Sequence, residues 1–362
     1  MALTYSFGND PAKIERYKAF WNLDDVKRPL VGFSCIGWFP LEYFKACKSW
    51  RVNEYITPDM IDPEEWLDDQ ERLLLEGEEI DDDILRGACP SQVAFPYFLP
   101  ASLDCKIVVL PSNIMGEERK LPWEEALKVR LDLDHPWFRK YIDFATALTR
   151  KANGRYPISH GAELGPTDIH ALLRGHNQSI LDLMDYEKES SELLWKLGYI
   201  FRQFTQVLWK QIPLYHGGYF DAQYQLWSPG PIVRMQEDAI AVYSPDLYRR
   251  LVQPIDRMIA GSFANSFIHL HSTSMFLLEA FLEIEEIRCF EINIEKFNIT
   301  VKDMITRFQR VQEAKRPLLI RGSLDEDELR LVCDSLDPRG LYLHIIIENK
   351  EESEPLRQIL GI

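Results

Sequence analysis

No apolar run in the chain reaches the roughly eighteen residues needed to cross a bilayer. The opening stretch, MALTYSFGNDPAKIERYKAFW, is polar and charged where a secretory leader needs an apolar core. The protein is therefore expected to be cytoplasmic, with no membrane partner. Basic charge is in short supply: 41 Lys and Arg face 57 Asp and Glu, for a net charge of −16. A nucleic-acid surface needs a basic stripe to offset phosphate charge, and none is present, so no nucleic-acid partner is expected. There is no G-x-G-x-x-G turn and no G-x-x-x-x-G-K-[ST] loop, which removes the usual dinucleotide and nucleoside triphosphate sites. The six cysteines, at 35, 47, 89, 105, 289 and 333, include no C-x-x-C pair and no zinc-finger spacing. In a reducing cytosol they are free thiols, most of them packed as small hydrophobes. Internal repeats and Gly/Ser-rich linkers are missing too.

What the chain does have is core material and alternation. Nine Trp, 15 Tyr and 19 Phe among 362 residues exclude disorder and supply a large core. Eight short apolar runs with strand character recur: 28–37, 79–88, 155–161, 231–241, 266–272, 287–294, 316–323 and 341–348. Between them lie segments with apolar residues every three or four positions, as in 185–211 and 245–264. Ser244-Pro245-Asp246 reads as a helix start, with a capping hydroxyl before a proline in the first turn. Asp325, Glu326 and Asp327 suit another helix N-terminus. Eight strands alternating with helices predict a single domain over 1–362, a (β/α)8 TIM barrel. Residues 89–135 break the alternation and read as an inserted segment after the second strand, a hairpin over the barrel mouth.

In such a barrel the chemistry lies at the C-terminal ends of strands. The polar residues there are Asp83 and Arg86, then His160, Glu163, Asp168 and His170, then Glu237 and Asp238, His269 and His271, Asn293 and Glu295, and Arg321. His269 and His271 share one face of a strand. Facing inward they ligate a metal or hold a substrate acid; facing outward they are structural. Asp81 and Asp82 read as a solvated loop. Asp83 adjoins Ile84 and Leu85, so its carboxylate is desolvated and needs a partner, with Arg86 three residues on. Of the adjacent Glu237 and Asp238, at most one faces the lumen. Thr167 and Asp168 follow Pro166 and are good caps. The aromatics Tyr215, Tyr219, Phe220, Tyr224 and Trp227 form either a loop that stacks on a flat ligand or a packed surface loop.

These residues bring a family into view. DDIL at Asp82–Leu85 is similar to the S-D-I-L segment of uroporphyrinogen decarboxylases. ELGPTDIHALLRG at Glu163–Gly175, EDAIAVYSPDLYRRLVQP at Glu237–Pro254 and FIHLHST at Phe267–Thr273 resemble further segments of that superfamily, as do RPLLIRGSLDEDEL and RGLYLHIII. The superfamily also holds corrinoid- and folate-linked methyltransferases. The resemblance covers most of the chain and implies an eight-stranded barrel, with Asp83 in the place of the central aspartate.

The departures shape the expected activity. The decarboxylase R-Q-A-G-R-Y-M-P segment, whose arginines hold propionates, corresponds to Ile36–Tyr43, which has no arginine. The decarboxylase tyrosine falls near His170 or Ala171, and its C-terminal G-H-G is replaced by Ile346-Ile347-Glu348. Zinc-dependent methyltransferases use H-x-C and a later cysteine, whereas here His271 stands for the first and the last strand has none. The leading expectation is a methyltransferase moving a methyl group between a corrinoid (cobalamin) and tetrahydrofolate or a related acceptor. Its catalytic residues are Asp83, Asp238 and His269, and its substrate-binding residues are Glu163, Asp168, His170, Glu237, Asn293 and Arg321. Zinc enters only through His269 and His271 with a carboxylate. A separate corrinoid protein docks at a wide barrel mouth, and a homodimer is expected because family members form one. The alternatives are a decarboxylase of a tetrapyrrole or other carboxylic acid, and a barrel that binds a ligand without catalysis.

Overall fold

Parallel strands buried on both faces need near-continuous apolar sequence, and the central strands of this chain have it. The computed structural model describes residues 5–35, 44–75, 78–90, 97–111, 113–296 and 299–362. The strands are β1 (Leu30–Ser34), β2 (Tyr55–Ile56), β3 (Ile107–Val109), β4 (Ile114–Gly116), β5 (Tyr219–Asp221), β6 (Leu226–Ser228), β7 (Ile232–Gln236), β8 (Asn265–Leu270), β9 (Cys289–Asn293), β10 (Leu318–Gly322) and β11 (Leu341–Ile346). Six of them form one parallel sheet in the order β1-β11-β10-β9-β8-β7. Helices connect these strands, giving a TIM-like α/β architecture in which the C-terminal ends of β7 to β11 face one way.

The helix starts follow local chemistry. The side chains of Ser244, Thr300 and Asp325 each accept a backbone N–H from the first turn that follows them. The expected helix over 245–264 is instead two, Pro245–Leu251 and Gln253–Ala260. Pro254 supplies no N–H and breaks the ladder between them.

Among the described residues the ladder has six strands, two fewer than expected. Residues 79–88 touch the sheet edge through single bonds, such as Asp83 N–H to the Val31 carbonyl at 2.9 Å. Residues 155–161 meet them in one isolated parallel bridge, Ala88 with Ile158. The cause is in the side chains. Asp83 accepts the Val31 N–H and Asp82 accepts the Phe33 N–H, each at 3.0 Å. Two carboxylates thus take β1 donors that a neighbouring backbone would have used, and Pro157 has no N–H to offer. Asp82 is therefore no solvated loop residue: its side chain is buried.

Residues 89–135 do contain the expected hairpin. β3 and β4 pair antiparallel, and β2 joins them in a three-stranded sheet. The segment Ile36–Tyr43 lies outside the described residues. A second hairpin, β5–β6, precedes β7. Tyr17 Oη donates to the Gln225 carbonyl at 2.7 Å, Trp21 Nε1 to that of Trp227 at 2.8 Å, and Tyr342 Oη to that of Tyr224 at 2.9 Å. These bonds hold Tyr224 against the inner face of the sheet, edge-on to Phe267 at 5.3 Å. The aromatic stretch is thus packed interior rather than a surface platform.

Candidate metal centre

Side chains two apart on a strand share a face. On β8 this alignment puts His269 on the inner face and carries His271 above it. On β9 it aligns Glu291 and Asn293, with Glu295 beyond. The register sets His269 opposite Glu291 and Gln236 opposite His269. The end of β7 then turns into a short helical turn that starts with Asp238. The Nε2 atoms of His269 and His271 are 3.1 Å apart, and His271 Nε2 lies 3.4 Å from Asp238 Oδ1. One ligand atom from each of these three residues falls within 4.8 Å of the others, the one such group among the described residues.

Each imidazole is braced from behind. His269 Nδ1 contacts the Glu291 carboxylate and, at 2.9 Å, the Tyr224 hydroxyl. His271 Nδ1 contacts Glu295 Oε1 at 2.6 Å, which also accepts from Asn293 Nδ2 at 3.1 Å. Gln236 Nε2 donates to Asp238. A ring that donates from Nδ1 to a carboxylate keeps its Nε2 lone pair for a cation, the usual arrangement behind metal-bound histidines. His269 is 2% exposed, whereas His271 is 28% and Asp238 40% exposed at the side chain, so the cluster opens toward solvent on one side.

The electrostatics agree with a cation site. Burial, Arg234 and His271 hold His269 well below its ordinary range, so it is neutral. Burial also opposes charge on His271, but hydrogen bonds to Asp238 and Glu295 outweigh it and carry the ring up to about 10. The Asp238 carboxyl is lowered because the two histidines overcome its burial. The carboxylates thus stabilise a positive charge at this point, carried by a proton on His271 when no metal is bound; a divalent ion would displace that proton. Two imidazoles and one carboxylate with an open side fit a first-row divalent ion such as zinc. Cysteine is not needed, because Asp238 would supply the third donor from the turn after β7.

The other expected site residues are placed as follows. Asp168 accepts the Gly165 N–H at 3.3 Å, capping its own helix, and also the N–H groups of Asp238 and Ala239 at 3.3 and 2.8 Å. It positions the turn that carries Asp238. Glu237 points the other way, accepting the Thr167 N–H at 2.8 Å. Glu163 is buried, accepts the Leu99 N–H at 2.9 Å, and is pushed up to about 8 by burial. Arg321 is buried on β10, its guanidinium 5.9 Å from the Tyr224 ring. His170 is fully buried on the helix Pro166–Arg174, with no hydrogen-bond partner for either ring nitrogen. Asp83 is not brought to the cluster. It is held beside the start of β1 by Arg28, with Nη2 to Oδ1 at 2.9 Å, and by Arg16 at 3.2 Å. Arg86, its expected partner, pairs with Asp82 instead, at 2.7 Å.

Glu291, Arg234 and the Tyr224 hydroxyl were not among the expected site residues. A signal for Glu291 exists: Glu291-x-Asn293-x-Glu295 alternates polar groups through an otherwise apolar strand.

No protein-family model matches the chain, and no curated protein matches it. Its structure is similar to that of a methyltransferase from Methanosarcina mazei. The two share 12% sequence identity and superpose with a TM-score of 0.64 over 99% of this chain and 98% of that one. At that identity the likeness speaks for the fold. The likeness in fold and the cluster at the strand ends are two separate findings about the same molecule.

Proposed function

We propose that the chain is a metal-dependent methyltransferase, related to the uroporphyrinogen decarboxylase superfamily, that moves a methyl group between a corrinoid and tetrahydrofolate or a related acceptor. The observation that carries this reading is the convergence of His269 Nε2, His271 Nε2 and Asp238 Oδ1 at the C-terminal ends of β7 and β8. The similarity to a methyltransferase barrel supports it. His269, His271 and Asp238 would hold a zinc-class ion, which as a Lewis acid makes a bound acceptor more acidic and more nucleophilic. Glu291 and Glu295 would each take an Nδ1–H, so that the Nε2 atoms could face the ion once His271 gives up its other proton. Asp168 and Gln236 orient Asp238. Asn293 and Glu163 would serve as amide and carboxyl partners for a polar acceptor. The corrinoid arrives on a separate protein, and the chain's task is to align the two partners.

One observation favours a second reading. Arg234 and Arg321 are both buried beside Tyr224, and decarboxylation of a carboxylic acid would call for such cations. The test is calorimetric titration of the zinc-loaded protein with tetrahydrofolate, methylcobalamin and coproporphyrinogen in parallel. Binding of folate or cobalamin that is lost in Asp238→Asn supports methyl transfer. Porphyrinogen binding with neither of the others would replace it by decarboxylation.

A further inference from the structure

Arg234 is 3% exposed on β7, yet its Nε and Nη1 have no hydrogen-bond partner. Tyr224, a neutral phenol, is hydrogen-bonded to it. The Arg321 guanidinium lies on the same ring: the two guanidinium carbons are 5.6 and 5.9 Å from the Tyr224 centroid. Two like charges buried around one phenol are costly unless something of opposite sign answers them. Glu291 lies in the field of both arginines, but it is already engaged with His269. Glu163 lies in the field of Arg234 too, but burial keeps it protonated at neutral pH, so it does not cancel the charge. Its Oε1 is also without a partner. Asp221 and Asp238 also lie in the field of Arg234, yet neither accepts from its Nε or Nη1. Two N–H groups of a buried guanidinium are thus left without an acceptor next to the residues that would hold the metal.

We propose that Arg234, with Arg321 beside it, forms an anion subsite that receives one oxyanion of the substrate, a carboxylate or a sulfonate or phosphate in its place. The planar guanidinium offers Nε–H and Nη1–H to such a group. The molecule acted on is then held at two points, by the metal at one end and by Arg234 at the other. This deepens the function proposed above by naming a substrate class, and it rests on that reading only for the metal end.

Two experiments on the full chain, both after treatment with a chelator, test the subsite without turnover. In crystals soaked in sodium selenate, an anomalous selenium peak within hydrogen-bond distance of Arg234 Nε or Nη1 supports it. Peaks only at exposed residues, an adventitious ion only, would overturn it, as would no peak. In solution, sodium sulfate replaces sodium gluconate at constant ionic strength and the melting temperature is followed. The wild-type rise should saturate, and Arg234→Gln should raise the half-saturating sulfate concentration about tenfold or more. Arg330→Gln, at an exposed helix position, should leave it unchanged. Equal rises in Arg234→Gln and wild type would overturn the subsite. If Arg234→Gln does not fold, the wild-type selenate map decides alone. Anion binding in a protein that transfers no methyl group would remove the methyl-transfer reading and leave the subsite standing.

Discussion

Single residues separate the candidate metal cluster from the acidic groups that only look like part of it. Asp238 and His271 each present a donor to the cluster, so Asp238→Asn or His271→Ala should cut zinc retained after gel filtration to less than about a tenth of wild type. Asp83 sits beside Arg28 and Arg16 at the start of β1. Asp83→Asn should leave zinc retention intact and lower stability by about 1–3 kcal/mol in urea unfolding, the cost discounted because both arginines are partly exposed. Zinc loss in Asp83→Asn would contradict this division. His170 gives a pH signature of its own. Burial lowers it to about 4 in the folded chain, against an ordinary value of 6.5. The unfolded chain therefore takes up the proton first as pH falls. Stability should drop between about pH 6.5 and pH 4, by about 3 kcal/mol from this group, with no further loss below. His170→Leu should flatten that segment of the pH–stability curve; an unchanged slope would mean the ring is not held neutral.

At the scale of elements, the site depends on how closely the helix Pro166–Arg174 approaches the end of β7. Gly165, at the N-cap of that helix, permits the approach: a Cβ there would lie 1.5 Å from the Gln236 carbonyl oxygen. The approach lets Thr167 reach Glu237 and lets Asp168 hold the N–H groups of Asp238 and Ala239. Gly165→Ala must push the two elements apart. It should cost at least the roughly 1–3 kcal/mol of an overpacked core and weaken zinc affinity, although Gly165 touches no ligand. Calorimetric zinc titration against wild type checks it, and full affinity in the variant would show that the helix does not position Asp238. The β5–β6 hairpin plays a similar part from the opposite side, since it alone delivers the Tyr224 hydroxyl to His269.

For the whole molecule, a metal held by His269, His271 and Asp238 as proposed would bind the folded chain in preference to the unfolded one. Chelator treatment should lower the melting temperature, and zinc at about a hundredfold above its dissociation constant should restore about 2.7 kcal/mol. The double variant His269→Ala/His271→Ala should be indifferent to both treatments. A wild-type melting temperature that ignores zinc would remove the metal from the proposal. No helix among the described residues is long and apolar enough to cross a membrane, in keeping with the absence of such a run in the sequence.

Much of this was legible along the chain. Apolar runs and capping residues located all six strands of the parallel sheet and most of its helices, because strand period and helix caps are local properties. The pair His269 and His271, and Asp238 after β7, stood out for the same reason: polar groups at the ends of apolar strands are visible without a fold. Tertiary structure alone decided which of them meet. It supplied the third donor across two strands, set Glu291 and Glu295 behind the rings by register, and gave Asp83 to Arg28 and Arg16. It also let the Asp82 and Asp83 side chains take the donors of β1, so that 79–88 did not become a strand. Pairing between residues scores apart in sequence depends on register and on competition for buried hydrogen bonds, and neither is written in any local pattern.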